Sequence, residues 1–142
     1  MTRFRIKQLD HVVLRARNAP RLVEFYEQVL GCTLERKLDM GLIQLRAGDA
    51  LIDILPVESK LGRAGGEPPA RENSGKNLDH FCLRIEPFLP EQLLAHFRAH
   101  HVEIRGPLEV YGAEGFGPSI YLKDPEGNTI ELKGPGNMPV GD

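Results

Sequence analysis

The chain has 142 residues, 41% of them hydrophobic and 27% charged, with a net charge of −2; this is one soluble domain's worth of sequence, long enough to bury a core. The near-neutral charge and the lack of a lysine or arginine run exclude nucleic acid and an anionic membrane as main partners, and no apolar stretch reaches the roughly 18 residues that span a bilayer. Met1–Lys7 is basic with no apolar signal segment behind it, and Cys32 and Cys82 make no disulfide framework, so a reducing cytoplasm is expected.

Residues 8–16 alternate around a Val/Leu-rich run and predict a strand. Asn18 offers an N-cap and Pro20 an early helical position. Leu22, Phe25, Tyr26, Val29 and Leu30 then recur at helical spacing until Gly31. Three short strands are expected at 32–38, 41–47 and 50–56, turned at Met40-Gly41 and Gly48-Asp49. From 57 to 77 the composition shifts to Gly, Pro, Ser and charge, which predicts a mobile linker. The order then repeats: a strand at 78–86, a helix from about Pro90 to His100 with Leu93, Leu94 and Phe97 inward, and strands near 102–105, 108–111, 118–123 and 128–133. Tyr111–Gly117 is glycine-rich without the Lys-Ser/Thr of a phosphate loop, and reads as a flexible loop or lid. Gly134 to Asp142 reads as a frayed tail.

The second half repeats the first. Leu9-Asp10-His11-Val12-Val13-Leu14-Arg15 returns 69 residues later as Leu78-Asp79-His80-Phe81-Cys82-Leu83-Arg84. Each half also ends in a strand with an acidic residue between apolar ones, Asp53 in 51–55 and Glu131 in 129–133. Strand side chains two apart share a face. His11, Val13 and Arg15 therefore oppose Asp10, Val12 and Leu14, while His80, Cys82 and Arg84 oppose Phe81, Leu83 and Ile85. Ile52 and Ile54 oppose Asp53, and Ile130 and Leu132 oppose Glu131. One face of each sheet can pack under a helix, and the other gathers His, Asp, Glu and Arg as a cavity wall would. Two imidazoles and two carboxylates related by a pseudo-two-fold would suit a divalent first-row metal.

Other candidates are weaker. His96 and His100 are four apart on the second helix, but no Glu follows His96, and both lie where histidine suits the helix dipole. Cys32 and Cys82 read as small buried apolar residues, although Cys82 shares the face of His80.

The ending Ser119-Ile120-Tyr121-Leu122-Lys123-Asp124-Pro125-Glu126-Gly127-Asn128-Thr129-Ile130-Glu131-Leu132, with the paired Leu-Asp-His openings, resembles the vicinal oxygen chelate superfamily, the glyoxalase, bleomycin-resistance and extradiol-dioxygenase group. The resemblance covers about 8–134. It implies an α+β fold of two βαβββ repeats forming a cupped, partly open mixed sheet with helices on the outside. Within a single domain, 1–142, one module covers about 8–56 and the other about 78–134. It implies one divalent metal ion (Ni, Zn, Fe or Mn), with His11, His80 and Glu131 on ligand positions. Asp53 falls where a Glu is usual, and its shorter side chain could bind directly, bind through a water, or not bind, leaving it a base or neither. Asp53 or Glu131 would be the catalytic carboxylate.

Arg15 and Arg84 would grip an anionic substrate or pair with acids at the rim, and Tyr121, ten residues before Glu131, would contact substrate. The resemblance implies a glyoxalase-like lyase or isomerase acting on a small molecule with adjacent oxygens. An extradiol-type dioxygenase, a thiol transferase or a drug-binding protein are the alternatives on the same scaffold. A homodimer is expected, with the ligands drawn from one chain or shared across exchanged modules.

Overall fold

The computed structural model describes residues 3–67 and 76–138. The chain divides into two compact units, Met1–Glu72 and Asn73–Asp142, and each builds its own four-stranded sheet. The fold is α+β: two βαβββ modules, each an open mixed sheet with a helix. Among the described residues no helix is long and apolar enough to cross a membrane.

The first unit runs β1 (His11–Ala16), α1 (Ala19–Gln28), β2 (Thr33–Lys37), β3 (Ile43–Ala47), β4 (Ala50–Pro56) and α2 (Lys60–Ala64). The sheet order is β1-β4-β3-β2, with β1 parallel to β4 and the other pairs antiparallel. A parallel pair needs a long crossover, and α1, β2 and β3 supply it. The Asn18 side chain accepts from Arg21 N at 3.2 Å and starts α1. Leu22, Phe25 and Tyr26 are then buried on one side of it, as their spacing predicts. Leu14, Ile43, Leu45, Ile52 and Ile54 are buried on the apolar face of the sheet, and α1 packs on β3 and β4. Each fully buried side chain of this kind is worth about 1.5–3 kcal/mol.

The expected linker is only partly irregular, because 60–64 form α2. Ser59 Oγ accepts from Gly62 N at 3.0 Å and donates to Pro56 O at 2.6 Å, a cap that holds one helical turn in place. Gly62 lies so close to the Pro56 carbonyl that any side chain would collide with it. Residues 68–75 of that expected linker lie outside the described residues.

The second unit runs β5 (Phe81–Arg84), α3 (Pro90–Ala99), β6 (Arg105–Gly112), β7 (Gly115–Lys123) and β8 (Thr129–Lys133), in sheet order β5-β8-β7-β6 with β5 parallel to β8. Ile120, Leu122, Ile130 and Leu132 are buried on one face, as is Phe97 of α3, whereas Leu94 is exposed rather than inward. The two strands expected at 102–105 and 108–111 are one, β6, with an irregularity between Arg105 and Leu108 that takes up Pro107. The glycine-rich stretch is not a free loop. It is the β6–β7 hairpin, turned at Ala113-Glu114, and Arg84 Nε donates to Glu114 Oε2 at 2.7 Å. Nor is the tail frayed through 138. Gly134, Asn137 and Met138 donate from their backbone N–H groups to Pro118, Phe116 and Glu114 carbonyls, each at 2.9 Å. Residues 139–142 lie outside the described residues.

Candidate functional site

Strand register places the candidate residues in two matching rows. In the first unit Val13, Asp53 and Gln44 are successive partners across β1, β4 and β3. In the second, Cys82, Glu131 and Tyr121 are successive partners across β5, β8 and β7. In-register partners share a face. His11 stands two residues before Val13, and His80 two before Cys82. Each sheet thus carries one imidazole beside one carboxylate on the face opposite its apolar one.

Both histidines are oriented the same way. His11 Nδ1 is 2.7 Å from Asp10 Oδ2, and His80 Nδ1 is 2.7 Å from Asp79 Oδ2. A carboxylate on Nδ1 selects the tautomer that leaves the Nε2 lone pair free. The same hydrogen bonds raise both imidazoles above their ordinary pKa against the opposing effect of burial, with nearby Asp53 and Glu131 adding to the rise.

The two carboxylates are treated differently. Glu131 is buried, and its Oε2 accepts from Ser119 Oγ at 2.7 Å while its Oε1 lies 3.2 Å from His80 Nε2. Burial pushes its pKa up, but hydrogen bonds from Ser119, Tyr121 and Cys82 and the charge of His80 prevail and hold it below the ordinary carboxylate value. Burial, then the bond to Glu131, push the Tyr121 phenol up. Partial burial and the same carboxylate push the Cys82 thiol up to about 12. Asp53 is 2% exposed; Gln44 Nε2 donates to its Oδ2 at 3.1 Å, and its Oδ1 is buried with no partner.

These residues fit a divalent first-row metal. Two ligands at about 2.1 Å from a shared ion stand about 3.0–3.4 Å apart, and the 3.2 Å between His80 Nε2 and Glu131 Oε1 falls in that range. The bare Oδ1 of Asp53 is a buried carboxylate oxygen without a cation or donor, a costly arrangement that a bound ion or substrate proton would relieve. Among the described residues no group of three or more His, Cys, Asp or Glu stands ready to hold a metal. His80 and Glu131 stand as a pair.

The two expected arginines are engaged elsewhere. Arg15 Nη2 donates to Gly62 O at 2.9 Å and to Gly66 O, strapping α2, while its Nε is buried and unpartnered. Arg84 pairs with Glu114 and, at 2.9 Å, with Glu86. Tyr121 is on the Glu131 face, with its ring 5.9 Å from that of His80. The rings of His96 and His100 are 4.8 Å apart at the end of α3. Cys32 is buried as expected, but Cys82 is exposed, because its strand turns it toward the polar face.

Five contributors have weaker signals in the sequence. Asp10 and Asp79 are visible as the repeated Asp before His. Ser119 and Gln44 become legible only through strand register. Asp124, inside the Asp-Pro-Glu-Gly-Asn segment, is buried and accepts from Glu126 N, Asn128 N and Asn128 Nδ2, each at 2.9 Å. That segment is thus the turn that launches β8 and sets Glu131 in register.

Comparison with known proteins agrees with this fold. A virulence protein of Salmonella typhimurium is 28% identical over 127 residues, covering 89% of this chain and 83% of its own. Its crystal structure superposes with a TM-score of 0.73 at 25% identity, over 93% of this chain and 99% of that one. An integron cassette protein of Vibrio cholerae gives a TM-score of 0.72 at 28% identity, over 92% and 97%. Lactoylglutathione lyase of Agrobacterium tumefaciens shares the fold, with a TM-score of 0.65 at 20% identity over 92% and 95%. Residues 8–132 match the family model of the Glyoxalase/Bleomycin resistance protein/Dioxygenase superfamily, and the chain belongs to that superfamily.

Proposed function

We propose that this protein is a divalent-metal-dependent enzyme of the vicinal oxygen chelate type: a glyoxalase-like lyase or isomerase that moves a proton between adjacent carbons of a small molecule. The substrate class that fits is a thiohemiacetal of a 2-oxoaldehyde. The observation that carries the reading is a tautomer-fixed imidazole set against a carboxylate, His80 Nε2 at 3.2 Å from Glu131 Oε1, with His11 held by Asp10 as His80 is by Asp79. The shared fold with lactoylglutathione lyase supports the same chemistry.

His11, His80 and Glu131 would hold the ion, with Asp53 the fourth candidate donor. When bound, the ion supplies Lewis-acid stabilisation to negative charge developing on adjacent substrate oxygens. The chain's own residues divide the remaining work. Ser119 Oγ holds Glu131 Oε2 while Oε1 faces His80 Nε2, so Glu131 suits a fixed anionic ligand rather than a mobile base. Asp53 has a bare oxygen, held in place through Gln44 on the other. It is the better base: Oδ1 takes the proton from the carbon beside the carbonyl and returns it to the neighbouring carbon. Tyr121, the cross-strand partner of Glu131, would border the reacting atoms.

Metal content by mass spectrometry on untagged protein tests the reading. The expected result is near-stoichiometric nickel, zinc, iron or manganese that falls in both His11→Ala and His80→Ala. Wild type that holds no metal and takes none up on reconstitution would sink the metalloenzyme reading in favour of small-molecule binding.

A further inference from the structure

The two rows that carry the carboxylates extend by one more strand. Beyond Gln44 the partner on β2 is Arg36, and beyond Tyr121 the partner on β6 is Arg105. The rows read Val13, Asp53, Gln44, Arg36 and Cys82, Glu131, Tyr121, Arg105. Each ends at the sheet edge in an exposed arginine on the carboxylate face. The outer strands share no motif that would put an arginine at this position in each sheet; only register does.

Arg105 differs from Arg84 and Arg15. Arg84 is held by Glu114 and Glu86, and Arg15 by two backbone carbonyls. Arg105 instead lies over the Tyr121 ring, its guanidinium carbon 5.0 Å from the ring centroid, and no carboxylate among the described residues pairs with it. Stacking of this kind orients a guanidinium plane while leaving its N–H fork open. That fork suits a bidentate oxyanion. Glu131 and Arg105 are two strands apart, about 10 Å between their backbones, and the stacked side chain of Arg105 leans back over Tyr121 toward Glu131.

We propose that Arg105 is a substrate-anchoring residue, with Arg36 its counterpart in the first half. The substrate class is then a small molecule with adjacent oxygens at one end and an oxyanion, a carboxylate or phosphonate, at the other. The adjacent-oxygen end rests on the metal reading above; the oxyanion end does not.

Two probes of equal length separate the ends: adipic acid monohydroxamate and its primary amide. Both chelate through adjacent hydroxamate oxygens, and only the acid carries a distal charge. Metal-loaded wild type is expected to bind the acid about tenfold tighter than the amide. Arg105→Ala should equalise the two and leave the amide's Kd unchanged, while Arg105→Lys should keep part of the preference. Equal binding of acid and amide by wild type, or a preference that survives Arg105→Ala, overturns the anchor.

A second measurement is independent of metal. In metal-free protein titrated with adipate, the Arg105 side-chain N–H and the Tyr121 ring signals should shift by NMR, and the Tyr121 response should vanish in Arg105→Ala. No shift in wild type overturns the anchor. If the amide binds no better with metal than without, the metal reading fails alone, and the adipate titration still decides the anchor.

Discussion

Asp53 is the residue whose surroundings make least sense for stability alone. A carboxylate 2% exposed, with one oxygen unpartnered, forfeits solvation that the single bond from Gln44 does not replace. Asp53→Asn keeps the acceptor for Gln44 and removes the buried charge. In the presence of chelator this variant should be about 1 kcal/mol more stable to urea than wild type, and it should lose turnover by about a hundredfold or more. A variant less stable than wild type would show that the bare oxygen is satisfied in solution and holds no role in reserve. The Asp before each histidine makes a separate claim. Asp79→Asn should weaken metal binding about 10- to 100-fold with the fold intact, because it loosens the tautomer and aim of His80. Unchanged affinity would reduce the Asp79–His80 pair to a surface contact.

At the scale of elements, the turn before β8 is the part most plainly built for position. Asp124 accepts three bonds across its own turn, and Gly127 sits at φ 84, where a Cβ is penalised. Asp124→Ala should cost about 2 kcal/mol and Gly127→Ala about 1 kcal/mol, read by urea denaturation. Losses under 0.5 kcal/mol for both would mean that β5 and β7 hold Glu131 in register and the turn merely follows. The same scale shows why some elements were legible and others not. The helix over Leu22 to Tyr26 has an N-cap, a proline start and a strong apolar spacing, three local signals that agree. The short helix Lys60–Ala64 has only Ser59 as a signal and depends on Arg15, 47 residues away from Gly62. The Tyr111–Gly117 stretch has loop composition, yet pairing between β6 and β7 makes it a hairpin.

For the whole molecule, the repeat makes pH dependence a matter of two similar groups. Both imidazoles are raised above 6.5, first by the hydrogen bond each donates to the preceding Asp. A raised folded-state value gives stability that is complete below the unfolded pKa and lost as pH climbs through the folded one. Glu131 and Glu35 are lowered, so their contributions are present above about 4.5 and vanish only in acid. Metal-free protein should therefore be more stable at pH 5.5 than at pH 8.5, measured by urea at constant ionic strength. A flat profile over that window would mean that the Asp–His pairs add nothing to folding. Metal uptake should run the other way, since ligation needs neutral imidazole. Two open sheets, each with a polar face, also lead us to propose a homodimer; a monomeric native mass at micromolar concentration would rule it out.

The sequence by itself determined the module. Its strand and helix periods, its 69-residue repeat and its Asp-Pro-Glu-Gly-Asn turn specify which face of each strand is apolar and which carries His11, Asp53, His80 and Glu131, because those signals are local and side-chain alternation follows from backbone geometry. Tertiary structure alone decided the partners. Gln44 beside Asp53, Ser119 and Tyr121 around Glu131, and Arg105 over Tyr121 all depend on strand order and register. Register is set jointly by the turn that joins two strands and by the face each must bury, so no pattern within one segment encodes which residue its neighbour will place alongside.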